Sequence, residues 1–374
     1  MLVINDEVES LNHLPPEKLP PFDERKSTAL GLFREIIAEM DSYPLRTLFW
    51  ECTLRCMLNC KHCGSDCKSS STQADMPAQD FLRVLDSIKP KVNSHEVMIV
   101  LTGGEPLMRD DLEEIGRAIY DREFPWGIVT NGMLLDLNRM NALLAAGIHS
   151  IALSIDGFEK EHNEIRRNPQ SYERSLRALR LIVRSPRLVY DVVTCVNKDN
   201  IKYLPAFRDF LISEGVKAWR LFTIFPVGRA ALDAELQLSN GELRYLMDFI
   251  RSCRKDAKIK ISYGCEGFLG PYEAEVRDHL FFCAAGMSIA GIRIDGSISG
   301  CTSIRANFDQ GNIYRDDFMQ VWNNRFEKYR NRDWCKKGKC AQCSMFKYCE
   351  GSSMHLYDND ENLLTCHYER LTSP

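Results

Sequence analysis

Fifteen cysteines stand in this chain of 374 residues, and their spacing is uneven. Five lie between Cys52 and Cys67 and five between Cys335 and Cys366. Thiols that only fill a core do not bunch at two places. In the first group a single register gives C-x3-C-x2-C, namely Cys56, Cys60 and Cys63. Starting from Cys52 or Cys60 fails, because Asn59 and Gly64 stand where thiols are needed. Three closely spaced thiolates on one loop can hold three irons of a 4Fe–4S cluster and leave the fourth iron for an external ligand. A structural zinc site instead closes a set of four.

The second group runs Cys335, Cys340-x2-Cys343-x5-Cys349, Cys366, and is preceded by Cys265, Cys283 and Gly296-x4-Cys301. C-x2-C alone also suits a zinc ribbon, and the basic run RNRDWCKKGKC could then meet nucleic acid. A zinc-binding, nucleic-acid-associated protein is therefore the alternative from another class. Against it, the formal net charge of -4 gives no electrostatic reason to expect nucleic acid or anionic membrane as a partner. No apolar run approaches the roughly 18–20 residues that span a bilayer. The opening MLVINDEVES lacks the basic and apolar regions of a secretory signal. The expectation is a cytoplasmic protein, where clustered thiols bind metal more often than they pair as disulfides.

The elements that must position these thiols follow a strand-then-helix rhythm. β-rich runs at TLFWEC, VMIVLTGG, WGIVTNG, SIALSIDG, VYDVVTCVN and AWRLFTIF alternate with helical patterns such as QDFLRVLDSIK, DLEEIGRAIYD and SYERSLRALRLIV. Strands this apolar suit a parallel sheet buried on both faces. The fold class expected is α/β, a partial (β/α)6 TIM-like barrel with a small C-terminal iron–sulfur domain. A doubly wound sheet is the alternative that periodicity leaves open. The expected divisions are residues 1–45 as an N-terminal extension, 46–258 as the barrel and 259–374 as the cysteine-rich module. The extension holds one amphipathic helix, STALGLFREIIAEMDSY, with Ser27 as its N-cap. After residue 258 the rhythm stops and Gly turns take over, leaving a core too thin to stand without metal.

C-x3-C-x2-C directly after the first strand of such a barrel resembles the signature of the radical S-adenosylmethionine enzymes. Four further motifs follow successive strands in that family's order. LTGGEP carries Gly103, Gly104, Glu105 and Pro106, and TNG carries Asn131. SIDG carries Ser154 and Asp156, and EHNEIRR carries Arg166, with Asn163 where peptide-modifying members have Asp. The two glycines let backbone approach a ligand closely. The resemblance implies that Glu105 accepts from the methionyl amine of S-adenosylmethionine. It also implies that Arg166, with Ser154, holds the methionyl carboxylate, a task suited to a planar guanidinium. Cys52 and Cys67 match no ligand position and are read as structural.

The C-terminal thiols resemble the SPASM module of radical enzymes that modify peptides and proteins. The resemblance assigns Cys340, Cys343, Cys349 and Cys366 to one auxiliary cluster. Cys265, Cys283 and Cys301 go to another, whose fourth thiol is missing because Ser353 stands in its place. Cys335 is one candidate to fill that gap; the others are a non-thiol ligand, or no ligand at all, which would leave an iron open to substrate.

The implied activity is reductive cleavage of S-adenosylmethionine to a 5′-deoxyadenosyl radical that takes hydrogen from a peptide or protein substrate. An external flavodoxin- or ferredoxin-like donor would supply the electron. Thr302 occupies the place of the catalytic Asp of sulfatase-maturing enzymes, which argues against formylglycine formation. The N-terminal 45 residues are short for a peptide-recognition domain. The stretch FWECTLRC…CKHCGSDC resembles the subgroup encoded beside small lipoproteins. Haem-pathway enzymes that join a barrel to a SPASM-like tail make a tetrapyrrole or other small-molecule cofactor substrate the alternative.

Overall fold

The computed structural model describes residues 19–40 and 42–373, and the first Pro-rich stretch of the extension lies partly outside them. Helix α1 (Glu24–Ala38) opens the described chain. Its N-cap is Asp23 and not Ser27, because the Asp23 carboxylate accepts from Lys26 N at 2.9 Å. Ser27 falls inside the helix, where its hydroxyl donates back to Glu24 O.

The barrel then follows in βα order. Its elements are β1 (Thr47–Thr53), α2 (Ala78–Ile88), β2 (Met98–Gly103), α3 (Leu112–Tyr120), β3 (Trp126–Thr130) and α4 (Leu137–Ala145). Next come β4 (Ser150–Ser154), α5 (Glu159–Arg166), α6 (Ser171–Val183), β5 (Val189–Val196), α7 (Leu204–Ser213), β6 (Ala218–Thr223) and α8 (Asn240–Cys253). The six strands pair in parallel and in sequence order. The sheet does not end there. β7 (Lys260–Tyr263) adds in parallel beyond β6, and β8 (Ile289–Ile292) adds in parallel on the other side of β1. β9 (Ser297–Ser299) and β10 (Gly311–Asn312) continue antiparallel from β8, giving one open ten-stranded sheet. The expected boundary at residue 258 is thus no break in the sheet.

The strands alternate more than a sheet buried on both faces would. In β6, Trp219, Leu221 and Thr223 are buried while Ala218, Arg220 and Phe222 are half-buried. The outward set packs under the helices, and the inward set faces an interior that side chains do not fill. Packing beneath the helices is tight: Trp50 stacks on Phe81 of α2 with ring centroids 4.3 Å apart. A Cβ at Gly116 of α3 would stand 2.1 Å from the Trp126 ring, so that helix comes close to β3 only through glycine. Among the described residues no helix is long and apolar enough to cross a membrane.

Candidate active site and thiol cavities

The loop after β1 carries Cys56, Cys60 and Cys63 at the C-terminal edge of the parallel sheet, where barrels of this kind place their chemistry. The first two thiols are buried and the third is half-buried. Backbone bonds hold the loop. Cys56 N donates to Lys68 O at 2.8 Å, and Lys61 N donates to Ile165 O of α5 at 2.8 Å.

Arg229 clamps the loop from a distant segment. Its Nε donates to Cys60 O at 2.7 Å, and Nη1 reaches Cys67 O at 2.9 Å and Asp66 at 2.8 Å. Its own backbone N–H donates to Cys63 O. Neighbouring Gly228 has φ +59, and a Cβ there would stand 2.4 Å from Gly64 O. No spacing rule singles out this clamp. Only the loop's carbonyls, unpaired in a chain read alone, hint that some donor must meet them.

The GGEP glycines also let their strand end close on the segment that leads into the cysteine loop. A Cβ on Gly103 would lie 2.1 Å from Thr53 O, and one on Gly104 would lie 2.1 Å from Arg55 O. Gly104 N donates to Thr53 O at 2.7 Å and Glu105 N to Arg55 O at 2.9 Å. The close approach is therefore to the root of the cysteine loop.

Glu105 is buried and accepts three bonds, from Leu107 N, Thr130 Oγ1 and Asn131 N. A carboxylate has about four lone-pair sites, so one acceptor position stays open. Burial raises its pKa, and those three donors work against the rise. Pro106 starts the buried turn after it. Asn131 is held by Met133 N and points its amide at Cys56 Sγ, 3.8 Å away.

At the end of β4, Asp156 is fully buried and accepts from Arg166 Nε at 2.7 Å and from Cys195 N at 2.9 Å. Burial works to raise its pKa, but the Arg166 guanidinium with His62 and His162 outweighs this and holds the carboxyl below its ordinary range. Among the described residues nothing takes the two Nη groups of Arg166, so a forked donor edge is available to a carboxylate. Ser154 lies half-buried at the end of the same strand. Asn163 accepts from Tyr172 N and donates to Pro169 O, joining α5 to α6. His62, between the second and third thiols, has its pKa pushed down to about 4, chiefly by burial. The ring is neutral at physiological pH.

Cys67 is more than filler. Its Sγ donates to Ser65 O at 3.8 Å inside the cysteine loop, and its closeness is the largest cause holding the Cys63 pKa down to about 5. Cys52 is fully buried, donates to Thr102 O and is structural.

Above the loop lies a cavity of about 260 Å³ lined by residues of the inward strand faces, among them Thr102, Cys195 and Phe222. The C-terminal segment closes its side with Thr302, Ser303 and Arg305. Arg305 Nη1 binds buried Glu51 of β1 at 2.9 Å, and its other arm meets Ser65 of the cysteine loop.

The remaining thiols line two further cavities. Cys340, Cys343, Cys349 and Cys366 share one of about 410 Å³. Cys265, Cys283 and Cys301 share an apolar one of about 340 Å³ with Met354 and His355. Cys335 lines neither; its Sγ accepts from Arg332 Nε at 3.5 Å. Among the described residues only His62, Asp156 and Cys195 bring three ligand atoms within 4.8 Å of one another, and Asp156 there is already paired with Arg166. No three thiols converge that closely. Zinc, with Zn–S bonds of about 2.3 Å, would need them to, whereas a cluster spreads its ligands over several irons.

Comparison with known proteins agrees. Residues 50–211 match the model of the radical SAM superfamily, and residues 283–344 match the iron–sulfur cluster-binding SPASM domain. The chain is 27% identical over 334 residues to an "AdoMet-dependent heme synthase" of Methanosarcina barkeri, covering 83% of this chain and 92% of that one. It is 26% identical over 317 residues to the mycofactocin maturase MftC of Mycolicibacterium smegmatis, covering 82% and 77%. Among solved structures, Streptococcus suis SuiB superposes with a TM-score of 0.66 at 19% identity, covering 92% of this chain and 81% of that one. The chain thus carries a radical S-adenosylmethionine domain followed by a SPASM domain, and these imply 4Fe–4S clusters and S-adenosylmethionine as its cofactors.

Proposed function

We propose that this radical enzyme acts on a tetrapyrrole bearing carboxylate side chains. The likeness to a haem synthase over nearly that protein's whole length carries the reading. When bound, S-adenosylmethionine and its cluster together supply hydrogen-atom abstraction.

The chain's own residues do the rest. Cys56, Cys60 and Cys63 hold three irons, on a loop fixed by Arg229. Arg166 offers its free Nη edge to the methionyl carboxylate, and buried Asp156 fixes the guanidinium plane. The open lone pair of Glu105 takes the methionyl amine. In the cavity above, Arg305 stands ready to orient a substrate carboxylate, its direction set by Glu51. The cavity walls keep water away from a reactive centre.

The thiols of the auxiliary group lie just behind that wall. A cluster held by those thiols would supply an electron acceptor close to the substrate. An external flavodoxin- or ferredoxin-like protein is the proposed reductant of the first cluster.

The test is anaerobic turnover of the reconstituted enzyme with dithionite, S-adenosylmethionine and iron coproporphyrin III. Porphyrin-dependent release of 5′-deoxyadenosine with a matching change in porphyrin mass is expected, and Arg305→Ala should abolish the mass change. Turnover of a peptide with no change in any porphyrin would overturn the reading. That outcome would favour peptide modification, the second reading, which the match to a mycofactocin maturase supports.

A further inference from the structure

The cavity shared by Cys265, Cys283 and Cys301 has three thiols where a closed 4Fe–4S site needs four ligands. Two candidates for the fourth are committed elsewhere. Ser353 is fully buried and its hydroxyl donates to Cys265 O at 2.7 Å. Cys335 lies outside the cavity, against Arg332 and the backbone of Gly351.

His355 differs from both. Its side chain lines the same cavity as the three thiols and is only 7% exposed. Its Nε2 has no hydrogen-bond partner. A buried polar nitrogen left without a partner is costly and calls for an explanation. The ring is steadied by Phe225, 4.5 Å away between centroids. The adjacent backbone already faces the site, since Met354 N donates to Cys283 Sγ at 3.5 Å.

We propose that His355 supplies the fourth protein ligand of the cluster held by Cys265, Cys283 and Cys301. The site is then closed with three sulfurs and one nitrogen. No iron in it is left open for substrate, and its part in the reaction is electron transfer. Replacing a thiolate by imidazole removes negative charge from the cluster and raises its potential, which favours accepting an electron from the substrate cavity. That cavity is the immediate neighbour, because Phe225, which packs on His355, also lines it.

The experiment is electron–nuclear double resonance on the reduced, full-length holoenzyme carrying 15N-labelled histidine. A strong 15N coupling is expected in the wild type. His355→Cys should lose the coupling, keep its full iron and sulfide content, and titrate at a lower potential. His279→Asn, altering the exposed histidine of the same cavity, and Cys335→Ala should both keep the coupling and the iron. These two variants carry the test if His355→Cys does not fold. Absence of histidine coupling in the wild type would overturn the proposal. So would its persistence in His355→Cys, its loss in His279→Asn, or loss of iron in Cys335→Ala.

Discussion

Cys301 and Thr302 are neighbours in the chain and line different cavities. Cys301 belongs to the three-thiol cavity and Thr302 to the cavity at the barrel mouth. The pattern repeats at Ile304 and Arg305. One short turn, closed by Ile304 N donating to Cys301 O at 3.2 Å, is thus the partition between the candidate substrate site and an auxiliary cluster site, so the two are separated by little more than a layer of backbone.

The first prediction concerns metal content. Protein purified anaerobically should be brown and hold more iron than the roughly four atoms of one cluster, because three thiol groups stand apart in the fold. Replacing Cys56, Cys60 and Cys63 together by Ala should end 5′-deoxyadenosine formation and leave the remaining iron bound. Zinc without iron or sulfide after reconstitution would refute the assignment.

Gly104→Ala should act at the first cluster alone. The added methyl would stand 2.1 Å from Arg55 O, so the root of the cysteine loop must move. Iron analysis should show a loss of about one cluster's worth, roughly four atoms per chain. Auxiliary iron should be unchanged. A full complement of iron in this variant would show that the contact relaxes freely.

Asp156→Asn should destabilise the barrel strongly. The change leaves Arg166 buried without its counter-charge, and breaking such a pair costs about 3–5 kcal/mol. Urea unfolding at neutral pH measures it. A loss under about 1 kcal/mol would mean that water or another group takes over the guanidinium.

Acid stability should depend on Asp278, which binds Arg254 at 2.6 Å and Lys260 at 2.9 Å. Those two hydrogen-bonded cations lower its pKa to about 2. A carboxyl depressed on folding adds stability above its unfolded pKa and loses it as pH falls through the folded one. Asp278→Asn should therefore be less stable than wild type at pH 7, by about 0.5–1 kcal/mol for a half-exposed pair. The difference should shrink below about pH 4 and vanish near pH 2. A difference that stayed constant across that range would exclude the charge as its origin.

Some of this protein was fixed by local spacing alone. Three thiols within eight residues, from Cys56 to Cys63, must lie on one loop, whatever the fold. The βα rhythm put that loop at the edge of a parallel sheet but left a barrel and a doubly wound sheet both open, and the pairing of the strands in sequence order decides for the barrel. Contacts between distant segments were beyond such reasoning. Arg229 reaches Cys60 across 169 positions, and Arg305 reaches Glu51 across 254. β7 and β8 are four-residue strands whose place in the sheet depends on edges offered by β6 and β1. His355 shows the same limit. Its residue type gives no ligand signal in a stretch read for cysteine, and only the fold seats its unpartnered nitrogen on the wall of a three-thiol cavity. Sequence spacing sets which groups are neighbours along a few turns of chain, whereas burial and partner choice are properties of the packed whole.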